Sequence, residues 1–158
     1  MITWFKELWF LISVLFDKTD GRVVSEVKKM TYFPFDGYKY MAWCGYILTT
    51  KEKYLDIDET SLNHETIHLK QAAFHGRYIW YYLSYLWHWM TGGIIIAPVS
   101  AAYYTNPYEM EAYAKEHVIG YNPTRFTVSK YLISDRKKTY KEHRDNWKSW
   151  VKEYFKDI

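Results

Sequence analysis

His64 and His68 stand four residues apart, with Glu65 beside the first, in the run Asn63-His64-Glu65-Thr66-Ile67-His68-Leu69-Lys70-Gln71. On an α-helix that spacing puts both imidazoles on one face about one turn apart, where their nitrogens can close on a single Zn²⁺ ion. Glu65 then lies beside the ion, placed to take a proton from a water the ion activates and to hand it to a leaving amine. That is the metallopeptidase use of H-E-x-x-H. Two half-buried polar residues on a helix face would look the same, so the pattern needs a partner. Catalytic zinc takes three protein ligands and keeps one corner for water, and the third ligand must come from elsewhere in the chain.

Residues 106 to 117 read Asn106-Pro107-Tyr108-Glu109-Met110-Glu111-Ala112-Tyr113-Ala114-Lys115-Glu116-His117. Asn106 as N-cap and Pro107 at the first helical position open a helix there. Glu109 and Glu111 fall on nearly opposite faces, so only one of them turns toward the motif helix. Ala112, one turn beyond Glu109, would let two helices approach closely and favours Glu109 as third ligand, with Glu111 and His117 as alternatives. A glutamate three residues after an Asn cap is also useful without any metal. Gln71 shares the motif face and reads as a brace for a ligand or a backbone carbonyl. His75 shares it too but lies about 10 Å along the axis from His68, too far for the same ion, and reads as a polar helix end. His88, between Trp87 and Trp89, reads as a packed or interfacial side chain.

An H-E-x-x-H helix followed by a later helix carrying E-x-x-A resembles the glutamate-zincins, zinc metallopeptidases whose third ligand is a glutamate on a second helix. More closely, NHETIHLKQ followed some forty residues later by NPYEMEAYA resembles small bacterial proteins with an N-H-E-x-x-H-x-x-Q helix and an N-P-x-E-x-E-A-Y-like second helix. The resemblance covers about residues 30 to 120. It implies a compact α+β core with a small sheet against the motif helix. It also implies His64, His68 and Glu109 as zinc ligands and Glu65 as general base. The chain departs from the pattern at one position. Many glutamate-zincins have an Asp four residues after the ligand glutamate that orients a histidine, and here Tyr113 stands there.

Those side chains need elements to hold them. Ser61 is an acceptable N-cap for a motif helix expected from Leu62 to about His75, with Gly76 as its stop. Residues 22 to 50 have strand-like composition in the runs Arg22 to Val27, Met30 to Phe35 and Tyr38 to Thr50, with Asp36-Gly37 as a hairpin turn. An antiparallel sheet is expected from them, and an exposed edge within 38 to 50 would suit an extended peptide. Residues 2 to 16 read as an apolar helix of about four turns, too short to span a bilayer, with no small-residue cleavage site after it. From Tyr78 to Tyr108 there is no formally charged residue, but Gly92-Gly93 and Pro98 break the stretch into two pieces nearer the size of core helices. The tail from Arg125 carries ten Lys or Arg against five Asp or Glu. Trp147, Trp150, Val151, Tyr154 and Phe155 give residues 136 to 156 the period of one amphipathic helix with a basic outer face.

At 158 residues the chain is expected to form one domain: an apolar helix over 1–16, a metal-binding core over 22–120 and a basic helical region over 121–158. The expected fold class is α+β, predominantly helical, with the small sheet on the motif helix. A net charge of +3 is too small for a dedicated nucleic-acid binder. The aromatic share is 21%, with 17 Tyr and 8 Trp, which suits a wide apolar groove or a membrane interface. Cys44 is alone, so no disulfide can form within the chain. The expected activity is that of a zinc-dependent hydrolase acting on a peptide or protein. The alternative is a non-catalytic scaffold, clipped by a metal or seated on a membrane surface. Placement in the cytoplasm or at a membrane periphery fits both.

Overall fold

The computed structural model describes residues 2–19, 27–34, 38–94, 99–122 and 128–158. The expected strand residues Arg22 to Glu26, the Asp36-Gly37 turn and Pro98 lie outside them. Within the described residues the fold is α+β and mainly helical, with one three-stranded sheet. The elements in chain order are α1 (Ile2–Ser13), β1 (Val27–Lys29), β2 (Met41–Trp43), β3 (Tyr46–Thr49), α2 (Glu59–Ala73) and α3 (Tyr78–Trp89). They continue with α4 (Val99–Tyr104), α5 (Pro107–Lys115), α6 (Arg136–His143) and α7 (Trp147–Tyr154).

The motif helix begins three residues earlier than the Ser61 cap predicts. Asp58 is the N-cap: its carboxylate accepts from the Ser61 backbone N–H at 2.9 Å and from the Ser61 hydroxyl at 2.7 Å. A carboxylate is the stronger acceptor at a helix start, and Ser61 becomes its donor within the first turn. At the other end the helix stops at Ala73, and Gly76 takes a φ of +73°, a left-handed conformation that favours glycine.

The sheet is mixed rather than antiparallel, in the order β1-β3-β2. β2 and β3 form a hairpin across Cys44-Gly45, whose φ angles of 46° and 87° are the pair of positive values a two-residue hairpin turn requires. A Cβ on Gly45 would stand 2.9 Å from the Tyr78 hydroxyl, so glycine also makes room for α3. β1 runs parallel to β3 on its other side, pairing Val27 to Ile47 and Lys29 to Thr49. The expected strand from Met30 does not form. The backbone N–H groups of Thr31 and Tyr32 go to the Glu7 carboxylate of α1, at 2.6 and 2.9 Å, in place of a ladder. Pro34, which has no N–H to give, follows.

α5 is buried along its whole length from Pro107 to Ala114, because α2 lies on one side of it and α7 on the other. Around it gather Tyr78 and Tyr81 of α3 and Trp147, Val151 and Phe155 of the tail. A smaller cluster under the sheet joins Leu11, Met30, Phe33 and Leu48.

The tail is two helices, not one. A short turn over Arg144–Asn146 separates them, and Asn146 is non-helical at φ −128°, ψ 25°. Trp147, Val151 and Phe155 are buried at intervals of four, as the amphipathic reading requires, whereas α6 has no fully buried residue and packs through half-buried Tyr140, stacked on Tyr104 with ring centroids 5.7 Å apart. α6 begins with Arg136, whose guanidinium donates to the His88 carbonyl at 2.7 Å and to the Thr105 hydroxyl at 2.9 Å. It fills the space where any side chain on Gly92 would be, a built Cβ falling 1.9 Å from its Cζ. Glycine at 92 therefore lets a cation bind the carbonyl end of α3, where the helix dipole is negative.

Candidate metal centre

α2 and α5 bring the site together, and Asn63 fixes how they meet. Its side-chain amide donates to the carbonyls of Glu116 and Val118 at 2.9 Å each and of Lys115 at 3.3 Å. The Lys115 and Val118 carbonyls also accept from the backbone N–H groups of Val118 and Tyr121, at 2.9 Å each, so one buried amide gathers the turn that leaves α5 and ties it to α2.

Among the described residues, His64, His68 and Glu109 form a group whose candidate ligand atoms all lie within 4.8 Å of one another, and all three are buried. The two Nε2 atoms are 3.3 Å apart. Glu109 Oε1 is 3.3 Å from His68 Nε2, and Oε2 is 3.5 Å from His64 Nε2. Oε1 also accepts from the Tyr85 hydroxyl at 2.8 Å, while Oε2 is buried with no hydrogen-bond partner.

The other ring nitrogens settle the tautomers. His64 Nδ1 lies 2.8 Å from the Glu116 carboxylate, which can only accept, so Nδ1 carries the proton. His68 Nδ1 lies 2.9 Å from Gln71 Oε1. The Gln71 amide nitrogen donates to the Tyr108 carbonyl at 3.0 Å and to the Glu111 carboxylate at 2.7 Å, which leaves its oxygen for His68. In their neutral forms the two rings therefore turn both Nε2 lone pairs to one point, together with two carboxylate oxygens. Four electron pairs with nothing positive between them are a poor arrangement in a buried site and a good one for a cation.

The acid–base behaviour carries the same sign. Burial alone would push the His64 pKa down, but the carboxylates of Glu109 and Glu116 outweigh this and raise it to about 10, so that a proton takes the ring's free nitrogen wherever a metal ion does not. His68 is raised as well, with burial again opposed, chiefly by the charge of Glu109. Burial works to raise Glu109, yet the two imidazoles hold its carboxyl well below the usual carboxylate range. The residues therefore fit a divalent metal ion held by two imidazoles and one carboxylate.

Glu65 is half-buried on the cleft wall beside His64. Burial raises its pKa, with His64, His68 and a hydrogen bond from the Ala42 backbone N–H pulling the other way. The cleft has a volume of about 470 Å³ and is walled by Tyr38, Tyr40, Tyr103, Tyr104 and Tyr113, with Lys148 of α7 among its lining residues. β2 is the outer strand beside it, but at Ala42 its outward groups are taken. The N–H goes to Glu65 and the carbonyl accepts from the Tyr82 hydroxyl at 3.1 Å. An added strand there would have to displace both.

Of the alternatives for the third ligand, His117 is exposed; Glu111, expected to face away if Glu109 faced the motif helix, reaches that helix as well, but at Gln71 and not at the histidines, and also accepts from the Tyr121 hydroxyl at 3.0 Å. Gln71 braces a histidine and a carbonyl together. His75 stays at the helix end, 3.0 Å from the Tyr108 hydroxyl. Tyr113 lies against the His64 ring with centroids 4.7 Å apart, and the carboxylate that orients His64 is Glu116. Sequence reasoning missed Glu116 and Tyr85. For Glu116 a signal existed, since it follows Glu109 by seven residues, two turns along the same face. Comparison with protein-family models, with curated proteins and with solved structures gave no significant match.

Proposed function

We propose that this chain is a zinc-dependent hydrolase, most simply a metallopeptidase, in which His64, His68 and Glu109 hold the ion and Glu65 is the general base. The observation that supports it most is the meeting of two Nε2 lone pairs with a buried, donor-free carboxylate oxygen, next to Glu65 in an open cleft. Zinc bound there polarises a carbonyl and lowers the pKa of water. Glu65 accepts the proton from the attacking water and returns it to the leaving amine, and burial brings its pKa toward the range such a base needs. Glu116 and Gln71 keep the imidazoles in register, and Tyr85 holds Glu109.

The test is elemental analysis of the purified protein, then turnover of a mixed peptide library with and without chelator. One zinc per chain and chelator-sensitive cleavage are expected. Glu65→Gln should keep the zinc and lose turnover by at least about a hundredfold. Full turnover by that variant would remove the mechanism. Zinc without chelator-sensitive cleavage would support the second reading, a structural clip, which the bridging of two helices by the three ligands favours.

A further inference from the structure

α3 is built with its polarity reversed. Its inward positions carry Tyr78, Tyr81, Tyr82 and Tyr85, two of whose hydroxyls bond Ala42 and Glu109. Its outward positions carry Trp80, Leu83, Leu86, Trp87 and Met90, with Trp87 63% exposed. No Asp, Glu, Lys or Arg occurs from Tyr78 to Ile94. A helix that faces water normally does the opposite. α1 repeats the pattern, turning Leu11 inward and leaving Trp4, Phe5, Trp9 and Ile12 outside, with Trp9 73% exposed.

The segment that follows α1 adjoins the start of α3. Lys18 and Arg77 form an antiparallel bridge, Thr19 N–H donates to the Gly76 carbonyl at 3.1 Å, and the Arg77 guanidinium donates to the Phe16 carbonyl at 2.8 Å. Lys6, Lys18 and Arg77 are exposed along these elements. The carboxylates there are Glu7, whose two oxygens are taken by Thr31 and Tyr32, and Asp17. Free charge beside the apolar stripes is therefore positive on balance. A symmetric pairing of two copies through this face would bring together two surfaces of the same net charge, three cations against two carboxylates on each, which disfavours a dimer there. No described helix is long and apolar enough to cross a membrane.

We propose that the outward stripes of α1 and α3 seat this protein on an anionic lipid surface, the Trp side chains entering the headgroup layer and Lys6, Lys18 and Arg77 meeting lipid phosphates. Tryptophan suits that layer because its ring is apolar and its N–H polar, and added cations strengthen binding to anionic lipid. The seat does not depend on the metal centre.

Co-sedimentation of the full-length protein with vesicles tests it, comparing phosphatidylcholine alone with phosphatidylcholine and phosphatidylglycerol at about two to one. Binding to the anionic vesicles is expected, at least about tenfold stronger than to the neutral ones. Trp9→Gln and Trp87→Gln should each weaken it about fivefold or more with an unchanged circular dichroism spectrum, since both side chains are mainly in water already. Lys6→Glu with Lys18→Glu should weaken binding to the anionic vesicles alone. The proposal is overturned if the unaltered protein stays in the supernatant with both vesicles, or if the Trp variants bind as it does. It is also overturned if light scattering finds a dimer that Trp87→Gln dissolves, which would give the face to a second copy.

Discussion

Gln71 is the residue on which the chemistry of the site turns, although it reaches no reacting atom. Its amide nitrogen is held by Tyr108 and Glu111, so its oxygen has to face His68. Glu111, an alternative ligand by sequence, therefore acts two links away by deciding which nitrogen of His68 carries the proton. Glu116 does the same for His64 in one step. Such partners of metal-ligating histidines are worth about 10- to 100-fold in metal affinity. Gln71→Ala and Glu116→Ala should each weaken zinc binding by that order in competition with a chromophoric chelator, and an unchanged affinity in both would mean the ring orientations are set some other way. The meeting of His64, His68 and Glu109 was legible because helical spacing and the small Ala112 suffice to bring two faces together. Gln71 was legible as a brace from its place on the same face, whereas Glu116, two turns from Glu109, stands at the end of α5, and its place depends on Asn63, a contact between helices that local pattern does not contain.

Asp58 shows how an element boundary is decided by which acceptor wins. Both Asp58 and Ser61 are good caps, and only the folded geometry makes one the acceptor and the other its donor. Asp58→Ala should cost about 1 kcal/mol in denaturant unfolding. The Ser61 backbone N–H, then its hydroxyl, lower the Asp58 pKa in the folded state. The cap's contribution is thus full above the unfolded value, about pH 4, and is lost as pH falls through the lower folded value. The stability difference between Asp58→Ala and the unaltered protein should shrink on acidification, and a difference constant down to pH 2 would contradict the assignment. The sheet and the tail show the same limit of local pattern. Strand composition was legible around Tyr46 to Thr49, but the parallel partner β1 is a tertiary choice, and so is the loss of Thr31 and Tyr32 to Glu7. In the tail the period of four was legible, whereas the break at Asn146 was not, because α6 takes its direction from the contacts of Arg136 and Tyr140 with α3 and α4.

For the whole molecule, composition and period were enough to place it as a mainly helical α+β fold, because α5 and α2 declare themselves by their caps and faces. The aromatic excess serves three uses, tyrosines around the cleft, tryptophans on the outside of α1 and α3, and a core that includes Tyr78, Tyr81, Trp147 and Phe155. The candidate ligands lie on two helices, with α3 and α4 in the chain between them. Metal that binds the folded chain and not the unfolded one stabilises it, by about 4 kcal/mol at a thousandfold excess over its dissociation constant. For a domain of this size chelation should lower the thermal midpoint by roughly 10 °C, read by circular dichroism. An unchanged midpoint would mean that no ion bridges α2 and α5.

Cys44 is the chain's single cysteine, buried under the hairpin turn, and burial raises its pKa to about 12. It has no sulfur to pair with and little thiolate to react. The chain thus carries no covalent tie between distant segments, and an ion between His68 and Glu109 would close a loop of 41 residues in its stead. In a disulfide such closure is worth about 4 kcal/mol and comes undone only by reduction. Here it would come undone by dilution, so the supply of zinc would govern how long each copy survives proteases as well as how fast it turns over.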